Sequence, residues 1–282
     1  MILNYINWNP NPEIIKIGSI SIRYYGLLFV GGLVLCIYVM KWIFKQEKIP
    51  LKYLDKLSTY GLIGIFVGAR LGHCFFYEPA YFLAHPLEII LPGRFLPGGG
   101  FKFTGFQGLA SHGGTLGLIL ALILYSKKTK QTILNTVDLI AIVAALGATF
   151  IRLANLMNSE IIGMPTNKPW AFIFKRIDNI PRHPAQLYEA ISYLVIFIIM
   201  FLLYKATRSK LKNGFFFGLV IALIFAARFF IEFIKEHQVD FEEGMLLNMG
   251  QILSIPYVIV GIGFMIYGII KTKKDKLQSQ NT

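Results

Sequence analysis

The stretch "TVDLIAIVAALGATFIRLANLMNSEIIG", residues 136–163, decides how this chain is read. Its first part is a nearly continuous apolar run, long enough to cross a bilayer, for which about 20 residues suffice. Its last part, Phe150–Gly163, carries Arg152, Asn155, Asn158 and Glu160. Such groups are costly to hold in hydrocarbon. Either the run is not a membrane helix, or the polar groups have a task that requires them there.

Composition favours the second alternative. Of 282 residues, 55% are hydrophobic and 15% charged, with a mean hydropathy of +0.58. A soluble domain of this length is rarely so apolar, and a β-barrel would show short alternating segments. Apolar spans are expected at 24–45, 57–77, 113–126, 136–157, 186–205, 215–234 and 250–270. The third is short and begins close to the preceding loop. The expectation is an all-α polytopic membrane protein of about seven transmembrane helices.

The net charge of +13 sits in short clusters between spans, without the interleaved aromatics of a nucleic-acid patch, so no nucleic-acid partner is expected. Lys45, Lys48, Lys52 and Lys56 follow span one; Lys127, Lys128 and Lys130 follow span three. Lys205, Arg208, Lys210 and Lys212 follow span five, and Lys271, Lys273, Lys274 and Lys276 follow span seven. The alternate loops, 78–111, 158–185 and 235–249, are longer and mixed; the last holds Asp240, Glu242 and Glu243. The positive-inside rule then puts the N-terminus outside and the C-terminus in the cytoplasm. Seven spans agree with ends on opposite sides. "MILNYINWNPNPEIIKIGSISIRYYG" lacks the basic start and apolar core of a cleavable signal peptide. No internal repeat appears, so residues 1–282 are expected to form one integral-membrane domain. Its first outer loop, rich in Gly, Pro and aromatics, suggests a lid or arm.

Ionisable groups near the outer ends of spans are the functional candidates. With about 100° per residue, Arg152, Asn155, Asn158 and Ser159 fall within an arc of roughly 120°, and Glu160 projects separately. Arginine can hold a phosphate bidentately; an interhelical hydrogen-bond cluster would use the same residue types, and periodicity leaves both open. Arg228 and Glu232 are four apart in "FAARFFIEF" and share a face, as an intrahelical pair or as a second phosphate arginine with its carboxylate. His112 in "SHGG" is either a satisfied polar residue or a proton acceptor, and Gly113 and Gly114 permit close approach of backbone or ligand. "RHPAQLYEA" places His183, Gln186, Tyr188 and Glu189 at the start of span five, where helix-end anchoring competes with function. Arg70 in "VGARLGH" reads as a buried ion pair or a supporting residue. Tyr25 in "IRYYG" sits where interfacial aromatics are ordinary.

Other chemistries lack their residues. Cys36 and Cys74 fall inside apolar spans and read as small hydrophobes. No His or Cys spacing suits zinc, and no metal site is expected. Phosphate loops and serine nucleophile elbows are missing as well, and the carboxylates are not spaced for magnesium.

These motifs carry a resemblance. "RLANLMNSEIIG" resembles the signature Gly-Arg-x-Gly-Asn-x-x-Asn-x-Glu-x-x-Gly of bacterial phosphatidylglycerol–prolipoprotein diacylglyceryl transferases, matched at Arg152, Asn155, Asn158, Glu160 and Gly163. Ile151 and Ala154 replace its two glycines, departures expected to tighten local packing. "IRYYG", "GARLGH", "SHGG", "RHPAQLYE", "ARFFIEF" and "MGQILSIP" follow the family's order over nearly the whole chain. Ile224 stands where the family often has a tyrosine, four residues before Arg228, so no role for that hydroxyl carries over.

The resemblance implies transfer of the diacylglyceryl group of phosphatidylglycerol to the lipobox cysteine of a prolipoprotein, with release of glycerol 1-phosphate and no cofactor. It implies an enzyme of the bacterial cytoplasmic (inner) membrane whose partners are phosphatidylglycerol, a lipobox peptide and membrane lipid. Tyr25, His112, Arg152, Asn155, Glu160, Arg228 and Glu232 are the essential residues it points to. Arg152 and Arg228 would stabilise the leaving phosphate, Glu160 and Glu232 would hold the arginines, and His112 would take the thiol proton. Headgroup binding would fall to Arg152, Asn155, Asn158, Glu160, Gly113, Arg228 and Glu232. The rival class is a secondary transporter of an anionic or lipid substrate, which would show broken helices near the midplane and internal repeats.

Overall fold

A computed structural model describes residues 5–17, 20–96, 98–106, 108–207, 211, 213–236 and 244–280. Arg208, Lys210 and Lys212 of the basic clusters, and Asp240, Glu242 and Glu243 of the last outer loop, lie outside the described residues. Six described helices are long and apolar enough to cross a membrane: α1 (Tyr24–Gln46), α2 (Leu51–Phe76), α6 (Ile133–Asn158), α7 (Ala185–Thr207), α8 (Phe215–Glu232) and α9 (Met249–Gln280, to Asp275). In hydrocarbon a helix satisfies its own backbone polar groups, which is why these runs are helical. The short third span becomes α5 (Ser111–Thr129), a continuous helix outside that set of six. The protein is mostly rather than wholly helical. Small strands occupy segments before and between the long helices: β1 (Ile6–Trp8), β2 (Glu13–Ile17), β3 (Ile20–Arg23), β4 (Gly93–Phe95), β5 (Phe101–Phe103), β6 (Phe172–Phe174) and β7 (Pro181–Arg182).

Contacts divide the chain into two compact units, residues 44–136 and residues 1–43 with 137–282. In the smaller unit α2 packs on α5 through glycines. A Cβ on Gly68 would lie 2.3 Å from the Gly113 carbonyl, and one on Gly117 would lie 1.9 Å from that of Gly64. Only glycine permits this backbone approach, a common way to pack helices where lipid offers no hydrophobic drive. The first outer loop is built here from α3 (Pro79–Ala84), α4 (Leu87–Ile90) and the β4–β5 hairpin. Buried Glu88 ties it together, accepting from the Tyr81 hydroxyl at 2.7 Å and the Phe95 N–H at 2.8 Å.

In the larger unit, α8 and α9 meet at Gly218 and Gly261, where added Cβ atoms would strike the opposing backbone. Asp138, buried on α6, accepts from the N–H groups of Gly214 at 2.7 Å and Phe217 at 2.9 Å. It thereby caps the N-terminus of α8, whose own N-cap is a glycine with no side chain to do so. At the other end of α6, β1 pairs parallel with β6, and β6 antiparallel with β7. The Trp8 indole N–H donates to the Leu156 carbonyl at 2.9 Å, tying β1 to the end of α6.

Candidate functional site

The signature stretch closes α6 by turning left-handed. Ser159 takes φ 57° and donates its N–H to the Leu156 carbonyl at 3.1 Å, while the Glu160 N–H reaches the Asn155 carbonyl at 3.0 Å. This pair of bonds is a Schellman closure with serine in the position usually held by glycine. Ile161 repeats the left-handed φ at 57°. Each such residue costs on the order of 1–2 kcal/mol, so the turn persists because its surroundings hold it. It brings Glu160 back over the helix end. Asn155 Nδ2 donates to Glu160 Oε2 at 2.8 Å, and Asn158 Nδ2 to Oε1 at 2.9 Å. Glu160 therefore does not project separately, as helical periodicity has it, but joins the polar face. The Gln186 amide, wholly buried on α7, donates to the Glu160 carbonyl.

Arg152 has a different partner from the one expected. Its Nη1 reaches Asn155 Oδ1 at 3.5 Å, but its Nε lies 3.1 Å from Oε2 of Glu189 on α7. Glu160 is spoken for by the two asparagines. Glu189 is 0% exposed, and its other oxygen lies 3.0 Å from Nζ of Lys235. Both are ion-pair distances without hydrogen-bond angles. Lys235 Nζ is also 3.0 Å from Glu232 Oε2, and Glu232 lies 3.9 Å from Arg228 Nε. One continuous chain results: Arg152, Glu189, Lys235, Glu232, Arg228. Tyr193, one turn beyond Glu189 and buried, interacts with Glu189, Arg152 and Arg228. Tyr25, in the first turn of α1, interacts with Glu160 and Arg152. The larger unit thus gathers Tyr25, Arg152, Asn155, Asn158, Glu160, Gln186, Glu189, Arg228 and Glu232.

The supports around this chain are close-packed. Gly163 donates to the His183 carbonyl at 3.0 Å and pairs as an isolated bridge with Lys235. A Cβ there would lie 2.5 Å from the His183 carbonyl oxygen, so the signature's last glycine is a packing requirement. Gly250 at the start of α9 faces Glu232, whose carboxylate would lie 2.5 Å from an added Cβ. Asn248 and Gln251 donate to the Glu232 and Phe229 carbonyls, each at 3.4 Å, closing the end of α8. His183 Nδ1 lies 3.1 Å from the Tyr188 hydroxyl, which accepts from the Trp170 indole at 2.8 Å. Burial, helped by the nearby Lys168 charge, holds the His183 imidazole below its usual pKa.

Of the two signature departures, Ala154 is fully buried, whereas Ile151 is 37% exposed and points away from the packed interior. Of the two, only Ala154 is placed where the expected tightening could act.

The smaller unit holds Arg70, His112 and Gly113. Arg70 donates to the carbonyls of Glu88 at 2.6 Å, Ile89 at 3.1 Å and Gly108 at 3.4 Å. Its guanidinium also lies over the rings of Phe82 and Phe106. Backbone carbonyls and aromatic faces thus hold it, and it anchors the first outer loop to α2. His112 is exposed in the first turn of α5. The close approach that Gly113 allows is to the backbone of α2.

Lys235, Tyr193, Asn248 and Gln251 are the members that reading the sequence missed. Lys235 follows Glu232 by three residues and Arg228 by seven, a spacing that would put all three on one face if the helix ran on, although α8 ends at Glu232. A lone lysine just past an outer span end, against the positive-inside pattern, was the available signal.

Comparison with known proteins adds an independent line. The sequence model of prolipoprotein diacylglyceryl transferase matches residues 12–267. A phosphatidylglycerol–prolipoprotein diacylglyceryl transferase of Bacteroides fragilis is 58% identical over 95% of this chain and 98% of its own. Proteins of the same name from Tolumonas auensis and Chloroherpeton thalassium are 46% and 42% identical. These alignments cover 92% and 97% of this chain, and 96% and 98% of theirs.

Proposed function

The chain belongs to the prolipoprotein diacylglyceryl transferase family, and we propose that it transfers the sn-1,2-diacylglyceryl group of phosphatidylglycerol to a lipobox cysteine thiol. The family match runs across both compact units, in keeping with one transferase domain over residues 1–282. The observation that carries the reading is the ion chain of the larger unit. It fixes two arginines, Arg152 and Arg228, to buried carboxylates, and Arg228 is left with a loose 3.9 Å contact.

The reaction follows from where charge moves. The thiol must lose its proton to attack, and His112 is the base we assign. The thiolate forms a sulfur–carbon bond at the glycerol carbon that bears the phosphate. The carbon–oxygen bond breaks, and its electrons pass to the phosphate oxygen of glycerol 1-phosphate. Arg152 and Arg228 bind that phosphate and take up its growing charge. Asn155, Asn158 and Glu160 set the headgroup side, Glu232 steadies Arg228, and Tyr25 borders the same face. Gly113 lets α5 pack closely enough to present His112. His183, Gln186, Tyr188 and Glu189 support the α6 end, and Arg70 holds the outer loop, our candidate arm.

We place the protein in the bacterial cytoplasmic membrane with α5 as a seventh crossing, the N-terminus outside and the site toward the extracytoplasmic face. The lysine clusters support this orientation. The test is reconstitution in phosphatidylglycerol vesicles with a lipobox peptide, read by mass spectrometry. A thioether-linked diacylglyceryl peptide with release of glycerol 1-phosphate is the expected result. Folded protein that yields no such product overturns the reading.

A further inference from the structure

The structure assigns Lys235 as a positioning residue that keeps the two phosphate arginines apart and available to an anion. This rests on the proposed transferase reading and adds a residue to it. Lys235 leaves the end of α8 within a short turn, its N–H bonded to the Glu232 carbonyl at 3.2 Å. Its backbone is pinned against Gly163, and the neighbouring N–H groups of Met164 and Glu236 bond across to Ile234 and Ile162 at 2.8 and 3.3 Å. The side chain is 2% exposed. A lysine so buried is held by its partners, and it has two, Glu189 and Glu232, each at 3.0 Å.

Charge decides what it does. Arg152 and Arg228 against Glu189 and Glu232 sum to zero. Two carboxylates facing two arginines would draw both guanidinium groups into neutral pairs. Lys235 takes one oxygen of each carboxylate, so the set of five carries one net positive charge. Glu189 then meets Arg152 through a single Nε contact at 3.1 Å, and Glu232 meets Arg228 no closer than 3.9 Å. The lysine itself is too enclosed to reach a headgroup, so it acts through the arginines.

The experiment compares Lys235→Met, Lys235→Gln and Lys235→Arg in phosphatidylglycerol vesicles with a lipobox peptide, with Arg228→Ala as the inactive reference. Lys235→Met keeps the length without charge. Lys235→Gln keeps a donor for the carboxylates and guards against misfolding. A positioning role predicts that both uncharged variants raise KM for phosphatidylglycerol by about tenfold or more while kcat changes less, since ground-state anion binding is what is lost. Lys235→Arg restores most of it. A second arm pairs Lys235→Met with Glu232→Gln, which returns the net charge to +1 and is expected to recover part of the KM. If a folded, uncharged variant keeps the parent KM while Arg228→Ala is inactive, the assignment to Lys235 is wrong and the transferase reading stands. If Lys235→Arg fails as badly as Lys235→Met in folded protein, charge is the wrong account. Should the unaltered protein form no product, the transferase reading falls first.

Discussion

Replacing Glu189 by glutamine tests the centre of the ion chain. The side chain is fully buried, with Arg152 at 3.1 Å and Lys235 at 3.0 Å. At an effective dielectric of about 20, each contact is worth roughly 5 kcal/mol of Coulomb energy before desolvation. Desolvation offsets much of this in the intact pair, but a one-sided change leaves two cations in place. Breaking a buried pair in that way costs about 3–5 kcal/mol. Glutamine keeps the volume, so packing changes little and the loss reports charge. Unfolding in mixed detergent micelles, followed by tryptophan fluorescence, is expected to show that loss against the parent. Transfer to a lipobox peptide is expected to fall about a hundredfold, because Arg152 loses the contact that aims it. Glu232→Gln is the graded comparison: Lys235 retains Glu189, and Arg228 was held at only 3.9 Å, so stability falls by about 1–3 kcal/mol. A Glu189→Gln protein within about 1 kcal/mol of the parent and equally active would refute the argument.

Three further outcomes follow from single contacts. Gly250→Ala sets a methyl group 2.5 Å from the Glu232 carboxylate; about 1–3 kcal/mol of overpacking and reduced transfer are expected, whereas Gly263→Ala, with nothing within 4 Å, leaves both measurements unchanged. Asp138→Ala removes the acceptor for the Gly214 and Phe217 N–H groups, and a stability loss of about 1–3 kcal/mol is expected for the stranded donors. His183 titrates below its usual pKa in the folded protein because of burial and Lys168. The unfolded chain therefore binds the proton more readily, and stability is fullest above about pH 6.5 and lost as pH falls through the lower folded value. A melting profile against pH for His183→Gln is expected to lack that step; an identical acid profile in both proteins would remove His183 from the explanation.

The long helices were legible because each apolar run exceeds the length a bilayer requires, and the ends of α1, α6 and α7 fall within a few residues of the expected spans. The arc of Arg152, Asn155 and Asn158 was legible for the same reason: they lie on a regular helix. Glu160 was misplaced because the helix stops at Asn158 and closes through a left-handed Ser159, with no glycine to announce it. Glu189 read as a helix-end residue because its partners come from α6 and from the turn after α8, contacts that no local spacing encodes. Arg70 suggested an ion pair or a supporting role, since a buried guanidinium asks for partners; carbonyls of the outer loop, Glu88, Ile89 and Gly108, are among those it finds, and no local spacing encodes them. The parallel pairing of β1 with β6 joins three-residue strands far apart in sequence, too short for a period to show.

Two kinds of constraint converge on the end of α6, and they act on different parts of the site. The Schellman turn fixes Glu160 against Asn155 and Asn158 by backbone geometry, so that corner is rigid before any ligand arrives. The arginines are fixed by charge, through carboxylates that lie on α7 and α8. A neutral anchor, such as a carbonyl, would orient a guanidinium but leave its full charge uncompensated in a buried setting. A carboxylate alone would neutralise it and weaken its attraction for a phosphate. Interposing Lys235 between Glu189 and Glu232 meets both demands: each arginine has a fixed counter-charge, and the group as a whole retains one positive charge for an incoming anion. Gly163 and Gly250 belong to the same solution. One lets the turn carrying Lys235 lie against His183, and the other leaves space for the Glu232 carboxylate. A side chain at Gly163 would meet His183 and Ile234, next to Lys235, and one at Gly250 would meet Glu232, so substitution at either would reach the arginines through the ion chain.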